Sequence, residues 1–574
     1  MFKINNKKTD KIRKEKKEIK NSKRINYFCV NFTILAVILI IIFSVCLAPR
    51  KLQNDTFYTI KIGELISNNG IDMKDHFSWH ENLKYTYPHW LYDYLTFQIY
   101  DVFGFQGIYI TTCILSAVLG VSMFFVISKL TKNKSLSFIV TILSMYLLED
   151  YIAARAQLVT FILFIWTVYF IEKFLETKKI RYAIALIIIP IAIANLHVAV
   201  WPFYFVLYLP YIAEYIIADL AETIFYKQLS MDFIKIRIKF LQKKAKNAKK
   251  VESLKEKLEA IQEKSSRIKI KREEELQNPY KIILKKNPNV KWLILIMVIC
   301  AFTGLLTPLK DTPYTYLINT MNGNTIKNIN EHLPLTLANN TQAMIMLFVF
   351  LLITIFTKTK LRLSDWFMLA GLTYLMFKTR RQISMFVLIC SIIFTRLIVD
   401  LIKTYTKNGL EVAEEVSKNI AVCVSLTVLM LLVSYEVIKP KLDDPFVNEK
   451  SYPVKASDYI LENIDLSKAR LYNEYNYGSY LLFRGIPVFI DSRADLYSPE
   501  FSGNKNEDIF TDFVETSSIG KFYEDTFKKY KITHVITYKN SKTNMIITKT
   551  NDKNYKELYS DDNFVLYERL NAEE

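Results

Sequence analysis

The sequence predicts a polytopic α-helical membrane protein of about eleven transmembrane helices, followed by an extracytoplasmic α/β domain. Three observations carry this: the apolar residues come in long runs, basic residues alternate between the connections on the two sides, and beyond Lys439 the composition turns to that of an ordinary soluble protein. With 51% hydrophobic and 14% aromatic residues over 574 positions, the chain holds more apolar surface than one soluble core can bury.

The elements follow in order. Residues 1–26 read as a basic cytoplasmic tail. The first apolar run, Tyr27–Leu47, matches the roughly 20 residues that a bilayer core of about 30 Å requires. It is long and leads into Ala48-Pro49-Arg50 rather than a small-residue cleavage site, so it reads as an uncleaved anchor. Further runs are Gly107–Val126, Leu136–Leu148, Val159–Phe174, Tyr182–Ala194, Val198–Ile217, Trp292–Leu306, Ala343–Ile355, Trp366–Phe377, Ile383–Ile398 and Ile420–Val437, giving a membrane domain over 27–438.

Lys and Arg are retained in cytoplasmic loops. With the amino terminus inside, the inside connections are Lys129–Ser135, Glu172–Arg181, Ala221–Val290, Lys358–Arg362 and Lys403–Lys418, each with several basic residues. The first extracytoplasmic loop is then 51–105, and an odd number of spans puts 439–574 outside at the plasma membrane. The formal charge of +19 raises nucleic acid as a partner, but basic residues that flank apolar runs are accounted for by orientation, and none is expected.

The six cysteines all fall inside apolar runs without paired spacing, so neither a disulfide framework nor a zinc site is expected. Within the cytoplasmic insertion 221–290, the Lys- and Glu-dense stretch Tyr226–Gln277 carries Val251, Leu254, Leu258 and Ile261 at helical spacing. That predicts a helical hairpin or short coiled coil, read either as a solvated insertion or as a docking element for a partner or anionic lipid. In the carboxy-terminal domain, Val454–Asn463 and Lys521–Lys529 read as helices, and Arg470–Asn473, Pro487–Asp491, His534–Tyr538 and Phe564–Glu568 as strands.

The chemistry gathers on the outside of this layout. Five of six histidines, His76, His80, His89, His197 and His332, fall in three outside loops. Each alone reads as a surface histidine; together, with acids and arginines beside them, they suggest a shared polar site. Asp55, just beyond the first span, is placed for a carboxylate that takes a proton from an acceptor hydroxyl, against the plainer reading of an exposed loop acid. Outward basic residues run against the charge rule, and Arg155, Lys378, Arg380 and Arg381, with Lys310 and Lys327, are candidates to hold a phosphate headgroup. A base and several cations at the membrane surface suit transfer of a group from a lipid-linked phosphate donor. The sequence has no phosphate-cradling Gly-rich loop, no HExxH and no CxxC, against a nucleotide-driven or zinc enzyme.

The run Asp55-Thr56-Phe57-Tyr58, Gly63-Glu64, Gly70, Asp75-His76-Phe77-Ser78-Trp79 and Tyr87-Pro88-His89-Trp90-Leu91 resembles the first outer loop of bacterial GT-C type glycosyltransferase-like membrane proteins. Asn195-Leu196-His197, Arg155 and Asn330-Glu331 resemble their later loop motifs. Asn476–Leu481 and Val488–Tyr497 resemble the domain that follows the membrane part in an uncharacterised branch. The resemblance implies a GT-C-like membrane domain, a first-loop acid as base, and a sugar on a polyprenyl phosphate as donor. It carries the base to Asp55, with Asp75 or Glu64 as a second acid orienting acceptor or metal. His76, His89, Arg155, His197, Glu331, Arg380 and Arg381 are then substrate-binding candidates. No metal ligands are assigned and no cofactor is fixed; a divalent cation stays open.

The leading expectation is therefore a membrane glycosyltransferase acting on a lipid, glycan or protein acceptor of the cell envelope. Its rivals are a transporter or flippase of lipid-linked glycans, against which the absence of a clear internal repeat speaks, and a non-catalytic envelope assembly or sensor protein. For the last, Asp491-Ser492-Arg493-Ala494-Asp495 reads as a glycan-binding loop or, alternatively, as a structural Asp–Arg pair.

Overall fold

The computed structural model describes residues 31–225, 228–242, 248–276, 282–323, 325–336, 340–504 and 507–570. The basic tail and the first residues of the Tyr27–Leu47 run lie outside the described residues. The fold is mostly helical with a small sheet region. Every apolar run read from the sequence falls on a helix, from Phe32–Leu47 through Leu363–Lys378 to Ile420–Ile438. Five stretches are long and apolar enough to cross a membrane: Trp90–Thr131, Ala156–Thr177, Val198–Ala221, Arg380–Tyr405 and Ile420–Lys441. Five more apolar helices are shorter, among them Phe32–Leu47 and Ile180–Leu196.

The helices bury one face and expose the other, and both faces are apolar. On Phe32–Leu47, Ala36, Leu39, Ile40 and Phe43 are buried while Ile34, Ile38 and Ile41 are exposed. The Ile420–Ile438 helix rests on Phe32–Leu47 and leaves Val424, Val428 and Leu432 exposed. An apolar surface of this extent is stable against hydrocarbon and not against water.

Trp90–Thr131 is two helices in series rather than one long span. Gly104 breaks the ladder with φ 60° and ψ −155°, a conformation that a Cβ disfavours. The half before the break belongs to the first loop, which is itself a folded unit. Its Asn54–Asn69 helix packs along Trp90–Thr131, and a Cβ at Gly63 would lie 2.1 Å from the Asp93 carbonyl, so glycine sets this close approach.

This first loop and the carboxy-terminal region share one hydrophobic core, in which Phe57 and Tyr58 join Tyr452, Tyr480, Val488 and Phe489. The Phe57 ring lies 5.0 Å from that of Tyr452 and 5.2 Å from that of Tyr480. The sheet of that region runs β1 (Leu471–Tyr472), β2 (His534–Tyr538), β4 (Phe564–Arg569), β3 (Tyr555–Ser560), the first pair parallel and the others antiparallel. Strand β3, at the sheet edge, lacks the apolar run that marks a buried strand, and three of its six residues are exposed. The expected strand Pro487–Asp491 is not one. Its backbone instead pairs with the first loop, Val488 N–H donating to Phe77 O and Trp79 N–H to Val488 O.

The Val198–Ala221 stretch is anchored at the first loop, where Val198 N–H donates to Pro88 O, and its 24 residues run through Val198–Val200, Trp201–Val206 and into Leu209–Phe225, carrying the chain up to about 36 Å away. The insertion that follows is therefore at the opposite end of the bundle. It holds two mutually packed helices, Gln228–Leu241 and Ala248–Leu276, with Val251, Leu254, Leu258 and Ile261 as half-buried positions on the second. Also at that end, Arg362 and Arg396 both bind Glu172 and Asp365, at 2.6–3.2 Å, closing a charge-balanced ring across three helices.

Candidate active site

The site is built where the helices begin or end toward the first loop. Asp55 sits in the first turn of Asn54–Asn69, where unpaired N–H groups and the helix dipole favour a carboxylate. Arg155 precedes Ala156–Thr177, and its Nη2 meets Asp55 Oδ2 at 2.8 Å. Its Nη1 lies 3.5 Å from Glu331 Oε1. Arg155 thus draws two candidate acids together from distant parts of the chain. Burial pushes the Glu331 carboxyl up, but the charges of Arg155 and Arg381 outweigh it and hold the group below its ordinary value.

A cationic patch adjoins this triad. Arg380 and Arg381 form a short turn between Leu363–Lys378 and Ile383–Tyr405, held by Arg380 N–H donating to Leu333 O and Tyr151 OH donating to Arg380 O at 3.2 Å. Among the described residues neither guanidinium has an acidic partner within ion-pair distance. Nε of Arg380, like Nε of Arg155, is buried without a hydrogen-bond acceptor. The Arg381 charge acts on His89, His197, His332, Glu331 and Asp495, so this side chain faces the middle of the cluster.

The His89 and His197 rings are in tilted contact, with centroids 4.9 Å apart and planes at 57°, and His197 Nδ1 is 2.9 Å from Thr160 Oγ1. Burial lowers His89 and His332 to about 4 and holds His197 well below its ordinary value, with Arg381 opposing protonation in each case. All three imidazoles are neutral at physiological pH, offering hydrogen bonds without adding charge.

Other candidates are not gathered here. Asp75 is 1% exposed and meets Arg493 Nη1 at 2.6 Å, while Arg493 also makes a fork with Asp491 at 2.7–2.9 Å. Tyr497 OH donates to Asp491 at 2.6 Å, and the guanidinium lies over the Phe77 and Tyr85 rings. Asp75 is therefore engaged in joining the first loop to the carboxy-terminal domain. Glu64 lies nine residues after Asp55, which at about 100° per residue is roughly half a turn away and about 13 Å along the helix, and it pairs with Lys61 at 2.5 Å. His76 pairs with Asp72 at 2.7 Å on the surface.

Partners that the sequence did not single out, Tyr475, Tyr316 and Thr325, complete the surroundings. Asn54 Nδ2 donates to Tyr475 O, bringing the carboxy-terminal domain against the Asp55 turn. Half-buried Asp495 accepts from Tyr316 OH at 2.5 Å and from Thr325 Oγ1 at 3.2 Å, tethering the loop that leads to Glu331. No spacing in the sequence signals either contact. Asp55 and Glu331 are bridged by a guanidinium where a shared cation would sit, and no three His, Cys, Asp or Glu side chains among the described residues form a metal-ligand group.

No family model matches the sequence, and no curated protein does. Solved structures do match. The crystal structure of the Archaeoglobus fulgidus oligosaccharyltransferase tethered to an acceptor peptide containing the NVT sequon aligns with TM-score 0.52 and 12% identity. It covers 95% of this chain and 74% of that one. The apo form of the same enzyme aligns with TM-score 0.51 and 12% identity, over 94% and 74%. At this identity the likeness establishes the fold, a polytopic helical membrane part carrying a further folded region, and it extends over nearly the whole of this chain.

Proposed function

We propose that this protein is a membrane glycosyltransferase that moves a sugar from a polyprenyl-phosphate-linked donor to an acceptor at the outer face of a plasma membrane. The observation that carries the reading is the pairing of Asp55 with Arg155 beside Arg380 and Arg381, two guanidinium groups without acidic partners among the described residues. Unpaired cations at a membrane surface call for an anionic ligand, and the headgroup of a lipid-linked sugar supplies phosphate oxygens that guanidinium groups bind in pairs.

In this reaction the bond between the sugar's anomeric carbon and the phosphate oxygen breaks, its electron pair staying on the phosphate, where Arg380 and Arg381 stabilise it. The acceptor's nucleophilic atom bonds to the anomeric carbon and its proton passes to Asp55. Arg155 orients Asp55 from one carboxylate oxygen and ties it to Glu331. Neutral His89 and His197 are hydrogen-bonding groups for the sugar. The eleven-span layout, with a cytoplasmic amino terminus and residues 439–574 outside, belongs to this proposal.

The likeness to an oligosaccharyltransferase fold supports the reaction class, and the acceptor peptide of that neighbour makes a protein acceptor the first to test. The experiment compares polyprenyl-phosphate sugars and envelope glycans by mass spectrometry in cells with the protein, without it, and with Asp55→Asn. Loss of one glycan with build-up of its lipid-linked sugar, reproduced by D55N at normal protein levels, is expected. In purified form D55N should lose about 10²- to 10⁴-fold in transfer rate, the usual weight of a general base. Unchanged transfer by folded D55N would overturn the assignment.

A further inference from the structure

At the end of the bundle opposite the site, the Gln228–Leu241 helix carries two apolar stripes on opposite sides. Met231 and Ile238, seven residues apart and so nearly in line on a helix, are buried. Phe233 and Ile236 lie about 140–160° around the helix from them and are 75% and 67% exposed. The helix packs against Ala248–Leu276 and touches Leu209–Phe225, so its inward side already has partners. The outward stripe has none among the described residues, and exposed Arg237 and Lys239 flank it on either side.

We infer that this outward face is a membrane-surface element: Phe233 and Ile236 insert at the level of the headgroups, and Arg237 and Lys239 bind anionic phospholipid. Two observations name the occupant. The helix follows directly on a stretch long and apolar enough to cross a membrane, so its face starts near the level at which that stretch leaves the bilayer. From Lys235 to Lys250 the sequence holds eight basic residues and no acid, a charge that complements anionic headgroups. Apolar side chains between long cationic ones are the pattern of an interfacial helix, whose cations reach out to the headgroups while their stems lie along the apolar stripe. This surface stands independently of the transferase reading.

The test places the photo-cross-linking residue p-benzoylphenylalanine at position 233 of the full-length protein in nanodiscs, with either phosphatidylcholine alone or a mixture containing phosphatidylglycerol. Phospholipid adducts are expected at that position, several-fold more abundant with phosphatidylglycerol, and R237E/K239E should remove the difference between the two lipids. No lipid adduct in either nanodisc would overturn the inference, as would adducts to a second copy of the chain. Equal adducts in both lipids would overturn the anionic-lipid assignment. Because position 233 is exposed, cross-linking is read alongside an unchanged melting temperature of the labelled protein.

Discussion

At the scale of single residues, charge without compensation is the most informative feature. Arg155 has Asp55 and Glu331, whereas Arg380 and Arg381 have no acidic partner among the described residues. If they hold the donor's phosphate, Arg381→Ala should lower kcat/KM for the lipid-linked donor by about 10- to 100-fold, the weight of one charged hydrogen bond. Arg381→Lys should recover only part, because an ammonium group cannot make the paired contact. Transfer assays over a range of donor concentrations check this, and unaltered kinetics would remove Arg381 from the donor site. The histidines make a separate prediction. His89 and His332 titrate near 4 in the folded chain, pushed down first by burial, against about 6.5 unfolded. Between these values the unfolded chain binds more protons, so stability present above pH 6.5 is lost as pH falls towards 4. The melting temperature should fall through this window, and by less in the His89→Gln, His332→Gln double variant. An identical fall would reassign the effect to other groups, among them His80, which is also lowered to about 4.

At the scale of elements, the first loop and the carboxy-terminal domain share a core and are also clamped by a buried cation. Arg493, 2% exposed, spans Asp75 on the loop and Asp491 on the domain. Burial alone would push the Asp75 carboxyl up, but Arg493 and Ser78 outweigh it and keep it ionised. Removing the arginine leaves two buried carboxylates uncompensated, so Arg493→Met should destabilise by about 3–5 kcal/mol and open the first loop to protease. Arg493→Lys should not restore the fork. Thermal unfolding with limited proteolysis reads both outcomes. Here the sequence was legible in part: the Asp491-Ser492-Arg493 stretch held an Asp–Arg pair, but nothing in it pointed to Asp75 as the third member. Similarly, Pro487–Asp491 has the apolar content of a strand, yet its backbone partner is the first loop rather than the sheet.

At the scale of the whole molecule, the first loop and the carboxy-terminal domain are on one side of the membrane if both are to share a core. The insertion helices, one long span away from Val198, are on the other. In a cysteine-free background, Asn69→Cys and Lys468→Cys should label with a membrane-impermeant maleimide from the same side, and Lys235→Cys from the opposite one. Labelling of the first two from different sides would break the fold described here. Which side is outside is the part that charge in the connecting loops predicts.

Taken by itself, the sequence determined the class of fold, the positions of the apolar helices and the candidacy of Asp55, Arg155, Arg380 and Arg381, while Glu331 was a candidate only through the family resemblance. Hydrophobic periodicity and charge are local properties, set within a few turns of the chain, so they survive without knowledge of the fold. Tertiary structure alone decided which candidates meet. Asp55 and Glu331 are 276 positions apart, and one guanidinium joins them; Asp75, much nearer in sequence to Asp55, is turned away into a clamp with Arg493. Such choices rest on long-range packing and on the cost of burying a charge without its partner, and no spacing along the chain encodes them.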